Sequence, residues 1–557
     1  MLRFLIFTTA LISFSTGSFA AKKIEFGKLT QEEINMKYYP PDSSAQAVVL
    51  FDVGQDVIEI SDLSVRTVRK KHTRIKIFGK GGIRWADQKI MHYKSEFIRS
   101  FKGATYNLDA SGNVTKDFIS KENIFNEKIV DELQYRTFSF PKVKEGSIIE
   151  FTYEITLVDG FKHFYNWQFQ KPIPVIYSEY NFVYPTVSRH GMLNFNKNMK
   201  GYIESEIITN GIGDNKYIMR DIPAFNDVPY LSASENYAAK VEFVFSSIGF
   251  PATWENVLKA LNENENFNKG MSRNYDIKTI IKTLCENKKS KEEKARAIYN
   301  YLKNNFNWNS EYGVLMTQSQ KKTFDTKRGN ISDINLLLVN LLQLAELKAE
   351  PVIGSTREHG FINPHVTPII YNFNNVICKL TLDSCEVLLD ATDKFLPFGY
   401  LHKECINGQY LVVGQKPSWT STHLQNKYQE KIYASLSVDE NGTFGGTIQE
   451  KKYGYAAVEA RTLAANDKKE NSLLKTREEA LPDYEISNFS ITNKDSLESH
   501  LGINYTLISN VKNNEIISIN PLLLFGENEN KFQRDERVYP INFNYPREIV
   551  YNGEIKI

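Results

Sequence analysis

The pattern of apolar and polar positions changes character twice along the chain. From about Ile24 to Phe245 it has mostly a period of two: His72-Thr73-Arg74-Ile75-Lys76-Ile77 alternates long polar and apolar side chains, as a half-buried strand does. Gly146 to Tyr153 repeats the pattern after a turn signal, and glycine-containing turns at 79–82, 111–113 and 211–215 separate such runs. Many short strands with turns between them predict a β-sandwich. Near Ser246 the period becomes helical, with helices expected over Trp254–Leu261, Ile277–Glu286 and Ser290–Phe306. The last opens on a capping box, Ser290 with Glu293, and carries Ala295, Ile298, Tyr301 and Leu302 on one face. Ile331 to about Ala345 is apolar almost all round, the signature of a helix buried inside a larger domain, with Asn330 as its N-cap and Asp333 in its first turn. Two strands follow, Asn375–Thr381 and Cys385–Leu389, around a tight Asp383-Ser384 turn. From about Tyr410 period two returns: Tyr433–Val438 and Thr443–Gln449 flank a hairpin signal, a helix is expected around Ala456–Leu474, and Tyr551–Ile557 reads as a strand.

These shifts divide the 557 residues into a β-sandwich over 22–245, an α+β core over 246–410 and a β-rich domain over 411–557. Ahead of them, Arg3, the apolar run Phe4 to Phe14, and small residues at Ser18 and Ala20 predict a cleavable signal peptide over 1–20. No cysteine follows the apolar run, which argues against a lipid anchor, and no later segment reaches eighteen uninterrupted apolar residues. The expectation is a periplasmic or secreted protein exported in the Gram-negative manner, without a transmembrane segment in the mature chain.

Composition narrows the class. With a formal net charge of +2 and basic residues scattered among acids, nothing favours nucleic acid. Four cysteines (Cys285, Cys378, Cys385 and Cys405) are too few for a disulfide framework at this length. HExxH, paired CxxC, Gly-Lys-Ser/Thr loop and GxSxG motifs are all missing and the nine histidines are dispersed, so neither a metal nor another cofactor is expected.

The chemistry concentrates in one ordered set of segments. Lys327-Arg328-Gly329-Asn330-Ile331-Ser332-Asp333 precedes the buried helix, Phe373-Asn374-Asn375-Val376-Ile377 opens a strand, and Leu388-Leu389-Asp390-Ala391-Thr392 ends the next. In this order the three blocks resemble the transglutaminase-like superfamily, which implies a papain-like core. The resemblance places a nucleophilic cysteine at the start of the helix, a histidine base at the start of the first strand and an orienting aspartate at the end of the second. Here those positions hold Ile331, Asn375 and Asp390. Isoleucine has no nucleophile, and an amide cannot carry a proton near neutral pH. A two-residue turn at Asp383-Ser384 would set Asn375 opposite Thr392 and bring Asp390 onto Asn375's face, while turning Cys378 to the other face. Asp390 also suits a turn cap before Ala391-Thr392, and Ser332 with His359 or His365 is the arrangement through which an active site could have been rebuilt.

Beyond the core, Tyr39–Ala45, Lys144–Glu150, Trp167–Gln170 and Asp221–Ala224 resemble the β-domain of unknown function that precedes such cores in exported bacterial proteins, and the C-terminal region is similar to the β-domain that follows them. The expected function is that of a non-catalytic envelope protein which binds a peptide, protein or glycan, or acts as a scaffold. The alternative is a peptide or amide hydrolase or acyltransferase with a rebuilt site.

Overall fold

In the computed structural model, the described residues are 24–556 except 61–64, 94–95, 129–132, 159–164, 186, 189–190, 201–205, 212, 226–227, 233–235, 248–252, 270–274, 366–367, 369, 423–425, 441–442, 466–471, 511–519, 521, 527–529, 533–536 and 538. The expected signal peptide lies outside them. The protein is multi-domain and strand-rich, with an N-terminal β domain, a central α+β region and a C-terminal β domain. It packs into two compact units: residues up to 163 with 169–185 and 204–224, and residues 164–168 with 186–203 and 225 onward.

The first unit is built on an eight-stranded sheet in which Ala47–Ile60 pairs antiparallel with Val65–Ile77 and parallel with Val175–Val183. A three-stranded sheet lies against it, Phe138 packing edge-on to Phe101 and Phe151. The segment His72–Ile77 is a strand, but not a half-buried one, because Arg74 and Lys76 are 3% and 2% exposed. Both find partners inside the fold: Arg74 bridges Glu33 and Glu150, so its charge is matched there rather than in water, and Lys76 donates to the Ile34 and Gly146 carbonyls.

In the second unit the strand Lys240–Ser247 pairs on one side with Gly191–Lys200 and on the other with Tyr165–Gln168. After it come the helices Trp254–Glu263, Tyr275–Cys285 and Lys291–Asn305, the last with the expected Ser290/Glu293 capping box. Its buried face includes Tyr299 and Lys303 beside Ala295, Ile298 and Leu302. The helix Ile331–Leu344 is almost wholly buried, since leucine, isoleucine and valine cover most of it and its buried Asn335 and Asn340 are hydrogen-bonded to Asp390 and Gln320. It packs on a five-stranded antiparallel sheet ordered 386–389, 375–381, 348–354, 409–412, 418–421.

The C-terminal sheet has the order 484–492, 501–509, 444–454, 428–438, 547–556, with the last strand parallel to its neighbour. The region expected as one helix over Ala456–Leu474 contributes two, Tyr455–Ala465 and Ser472–Ala480. The second outruns the expected end and stops before Pro482, whose ring disfavours helical backbone in the residue ahead of it. These helices cover the apolar face of the sheet through Ala457, Ala460, Ala464 and Leu473. Among the described residues no helix is long and apolar enough to cross a membrane.

Candidate functional site

The start of the buried helix is heavily fastened. Asn330 caps it by accepting from the Asp333 amide (2.7 Å), and Asp333 accepts in return from the Asn330 amide (2.9 Å). Asp333 also takes the Thr317 amide and hydroxyl at 3.0 and 2.7 Å. Gly329 permits this closeness, because a Cβ there would run into the Asp333 side chain. Ile331 is the first helical residue, its own amide donating to the Glu311 carbonyl at 3.1 Å. Its side chain is 1% exposed and belongs to an apolar cluster with Ile377, Leu401, Cys405, Tyr410 and Tyr455.

The hairpin register places the other two positions. Thr381 faces Glu386 and Cys378 faces Leu389, so the alignment of strands around the Asp383-Ser384 turn is the one the turn implies. Asn375 and Asp390 are both 0% exposed. Asn375 donates from Nδ2 to the Tyr410 hydroxyl at 2.7 Å, and its Oδ1 has no hydrogen-bond partner. The Tyr410 ring reaches this place by lying over Gly354, where a Cβ would overlap it. Asp390 accepts at Oδ1 from Asn335 Nδ2 (3.0 Å) and from the Thr392 amide (3.1 Å) and hydroxyl (2.7 Å), so the turn-capping contact exists. Asn335 also donates to the Val376 carbonyl and accepts from the Ala391 amide, which ties the buried helix to both strands.

Sequence reasoning missed Cys405. Its thiol donates to Asp390 Oδ2 at 3.8 Å and lies within the same closed cluster as Ile331. Burial pushes this thiol well above the ordinary cysteine value, and the Asp390 charge adds to the effect, so it is held as the unreactive thiol. Tyr410 is raised likewise, first by burial. Tyr299 donates its hydroxyl to the Asp390 carbonyl at 3.1 Å from beneath. None of these had a local signal, since each comes from a segment remote from the motif. Cys378 is on the helix-facing core, where burial pushes its thiol up as well.

The residues from which a site could have been rebuilt are not joined. Ser332 is fully buried and donates to the Gly313 carbonyl at 2.5 Å. His359 is hydrogen-bonded to Ser355 at 3.0 Å, and His365 is exposed. Among the described residues no group of three or more His, Cys, Asp or Glu side chains is placed to hold a metal ion. Chemically, the arrangement is closed: Ile331 is packed in an apolar cluster, Asp390 is satisfied by Asn335, Thr392 and Cys405, and Asn375 bonds Tyr410 through its nitrogen while its buried oxygen stays without a partner.

A separate opening occurs on the same unit. A cavity of about 580 Å³ is lined by Arg357, Glu358, Glu404, Tyr230, Phe543 and Arg547, among others.

Residues 278–375 match the transglutaminase-like superfamily, and residues 64–225 match a domain of unknown function, DUF3857. A crystal structure described as "a putative protease from Parabacteroides distasonis ATCC 8503" is similar over 84% of this chain and 94% of its own, at 12% identity and a TM-score of 0.51, a likeness of fold. One described as "a putative cysteine protease from Cytophaga hutchinsonii" aligns over 41% of this chain and 74% of its own, at 13% identity and a TM-score of 0.19, too low to bear on the fold. No curated protein matches.

Proposed function

We propose that this chain, which carries a transglutaminase-like core behind a DUF3857-type domain, is a non-catalytic protein of the bacterial envelope, exported by its leader, that binds or scaffolds through its surface rather than through a catalytic cleft. The observation that carries this reading is the burial of Ile331 at 1% exposure, at the position where the superfamily's nucleophile would stand. Three further features support it. Asn375 and Asp390 are fully buried, with the Asn375 nitrogen bonded to Tyr410 and the Asp390 carboxylate to Asn335, Thr392 and Cys405. Cys405 is the cysteine nearest to them, and its thiol is held protonated by burial. Acyl transfer also needs a path for substrate to the reacting atoms, and Ile331 lies inside an apolar cluster with almost no exposed surface. A filled cleft favours the scaffold role over a ligand held at the triad positions.

The test uses the mature protein recovered from the periplasm, expected to begin at Ala21. It is assayed for amine incorporation and peptide hydrolysis with and without a thiol alkylator. No turnover is expected in either arm. Turnover that alkylation abolishes would overturn the non-catalytic reading, and material retaining Met1 in a membrane pellet would overturn export by cleavage.

A further inference from the structure

We propose that the cavity beside the sealed triad positions is a binding site for a short zwitterionic peptide, one with a free amino end and a free carboxylate. The proposal goes beyond the scaffold reading and does not depend on whether the triad positions are catalytic.

The base of the cavity is Arg357, a guanidinium only 8% exposed. Its hydrogen bonds run to the Ile406 carbonyl (3.1 Å), the Asn542 side-chain oxygen (3.4 Å) and the Asn542 carbonyl (3.0 Å), all of them neutral acceptors. Among the described residues it makes no hydrogen-bonded ion pair, and the Glu404 charge nearby offsets only part of the cost of its burial. A buried cation without a paired anion is costly, and a guanidinium offers five donors in a fork that matches a carboxylate. The three bonds fix the fork and leave part of it to a ligand. Arg547 lines the same cavity with its guanidinium 4.5 Å from the Tyr428 ring centroid and likewise makes no ion pair among the described residues.

A simple anion would not account for the rest of the lining. Glu358 and Glu404 also border the cavity, neither of them in an ion pair among the described residues, so the charges that the described residues bring to it, two positive and two negative, sum to zero. Phosphate or another multivalent anion would meet as much repulsion as attraction. A ligand carrying one carboxylate and one ammonium uses all four. Between the charges, Tyr230 and Phe543 stand with ring centroids 4.7 Å apart, and Phe543 is 51% exposed, an apolar face for a side chain. The Asn544 side chain adds an amide able to bond a peptide group. The volume, about 580 Å³, falls in the range of ordinary small-ligand sites, roughly 300–1,000 Å³.

The walls are fastened before any ligand arrives. The Asn542 amide donates to the Tyr230 carbonyl at 2.8 Å, the Arg357 amide to the Glu404 carbonyl at 2.9 Å, and Arg537 to the Pro229 carbonyl at 2.7 Å. Asn407 clamps the Arg357 loop from behind, donating to the Ser355 and Gly360 carbonyls at 2.9 and 2.6 Å. Preorganisation of this kind lowers the entropic cost of binding.

The experiment is calorimetric titration of the mature full-length chain with the tripeptide Ala-Phe-Ala, its N-acetylated form and its C-terminal amide. Free-ended peptide is expected to bind at least tenfold more tightly than either blocked form. Glu358→Gln and Arg547→Gln alter surface side chains and should leave the fold intact, as circular dichroism would verify. The first should erase the preference for a free amino end, and the second should weaken the preference for a free carboxylate. Arg357→Met should abolish the carboxylate preference, provided the variant folds. No heat with any peptide at millimolar concentration, equal affinity for free and blocked forms, or dependence on one end alone would each overturn the proposal.

Discussion

Ile331 decides how the closed site would respond to repair. Replacing it with cysteine sets two effects against each other. A helix N-terminus favours a thiolate by typically 0.3–1 kcal/mol and at most about 2, which is roughly 1.5 pKa units. Full burial opposes ionisation by up to about 3–5 units. At 1% exposure burial should win; burial is also the chief cause of the raised Cys405 thiol in the same cluster. The Ile331→Cys thiol is therefore expected to alkylate far more slowly than free cysteine at neutral pH and to become fully reactive only on unfolding. The lost packing should cost about 1–2 kcal/mol of stability. Rapid alkylation of the folded variant at pH 7 would show that the position is open. At this scale the sequence pointed to Ile331, Asn375 and Asp390, because each stands in a contiguous motif, and all three are buried in the fold. It could not reveal Cys405, Tyr410 or Tyr299, which reach the cluster only by tertiary convergence.

Among the elements, the hairpin was the most legible. Alternation with a two-residue turn admits one register that buries the apolar face, and Thr381 does face Glu386. The helix start was equally legible, since Asn330 and Asp333 at that spacing satisfy both orphan amides. Burial on the polar side of the His72–Ile77 strand was not, because the ion pairs of Arg74 come from residues 33 and 150. Gly354 shows how a single backbone position sustains the sheet's role in the site. The Tyr410 ring lies directly over it, so Gly354→Ala should displace the ring, break its hydrogen bond with Asn375 and cost about 1–3 kcal/mol. Denaturant titration of that variant against the parent chain checks the figure. An unchanged midpoint would mean that the ring has room to move.

Across the whole molecule, the strand Lys240–Ser247 has both its partners, Tyr165–Gln168 and Gly191–Lys200, far upstream in sequence. Periodicity announces strands but not which strands meet, so this sheet could not be read in advance. Its topology has a consequence for where the chain can be cut. A fragment of residues 226–557 keeps the strand and loses both neighbours, leaving two bare backbone edges and uncovering Val241 and Phe243, which are 0% and 3% exposed in the intact fold. A fragment of residues 253–557 removes the strand together with its liabilities and keeps the core sheet, its buried helix and the C-terminal sheet whole. The shorter fragment is expected to be the more soluble of the two and to resist trypsin longer, although the longer one contains more of the second unit. Expression of both, followed by size-exclusion chromatography and timed proteolysis, decides the matter. If the 226–557 fragment ran as a monomer and resisted trypsin as long as the shorter one, the upstream strands would not be what protects that edge.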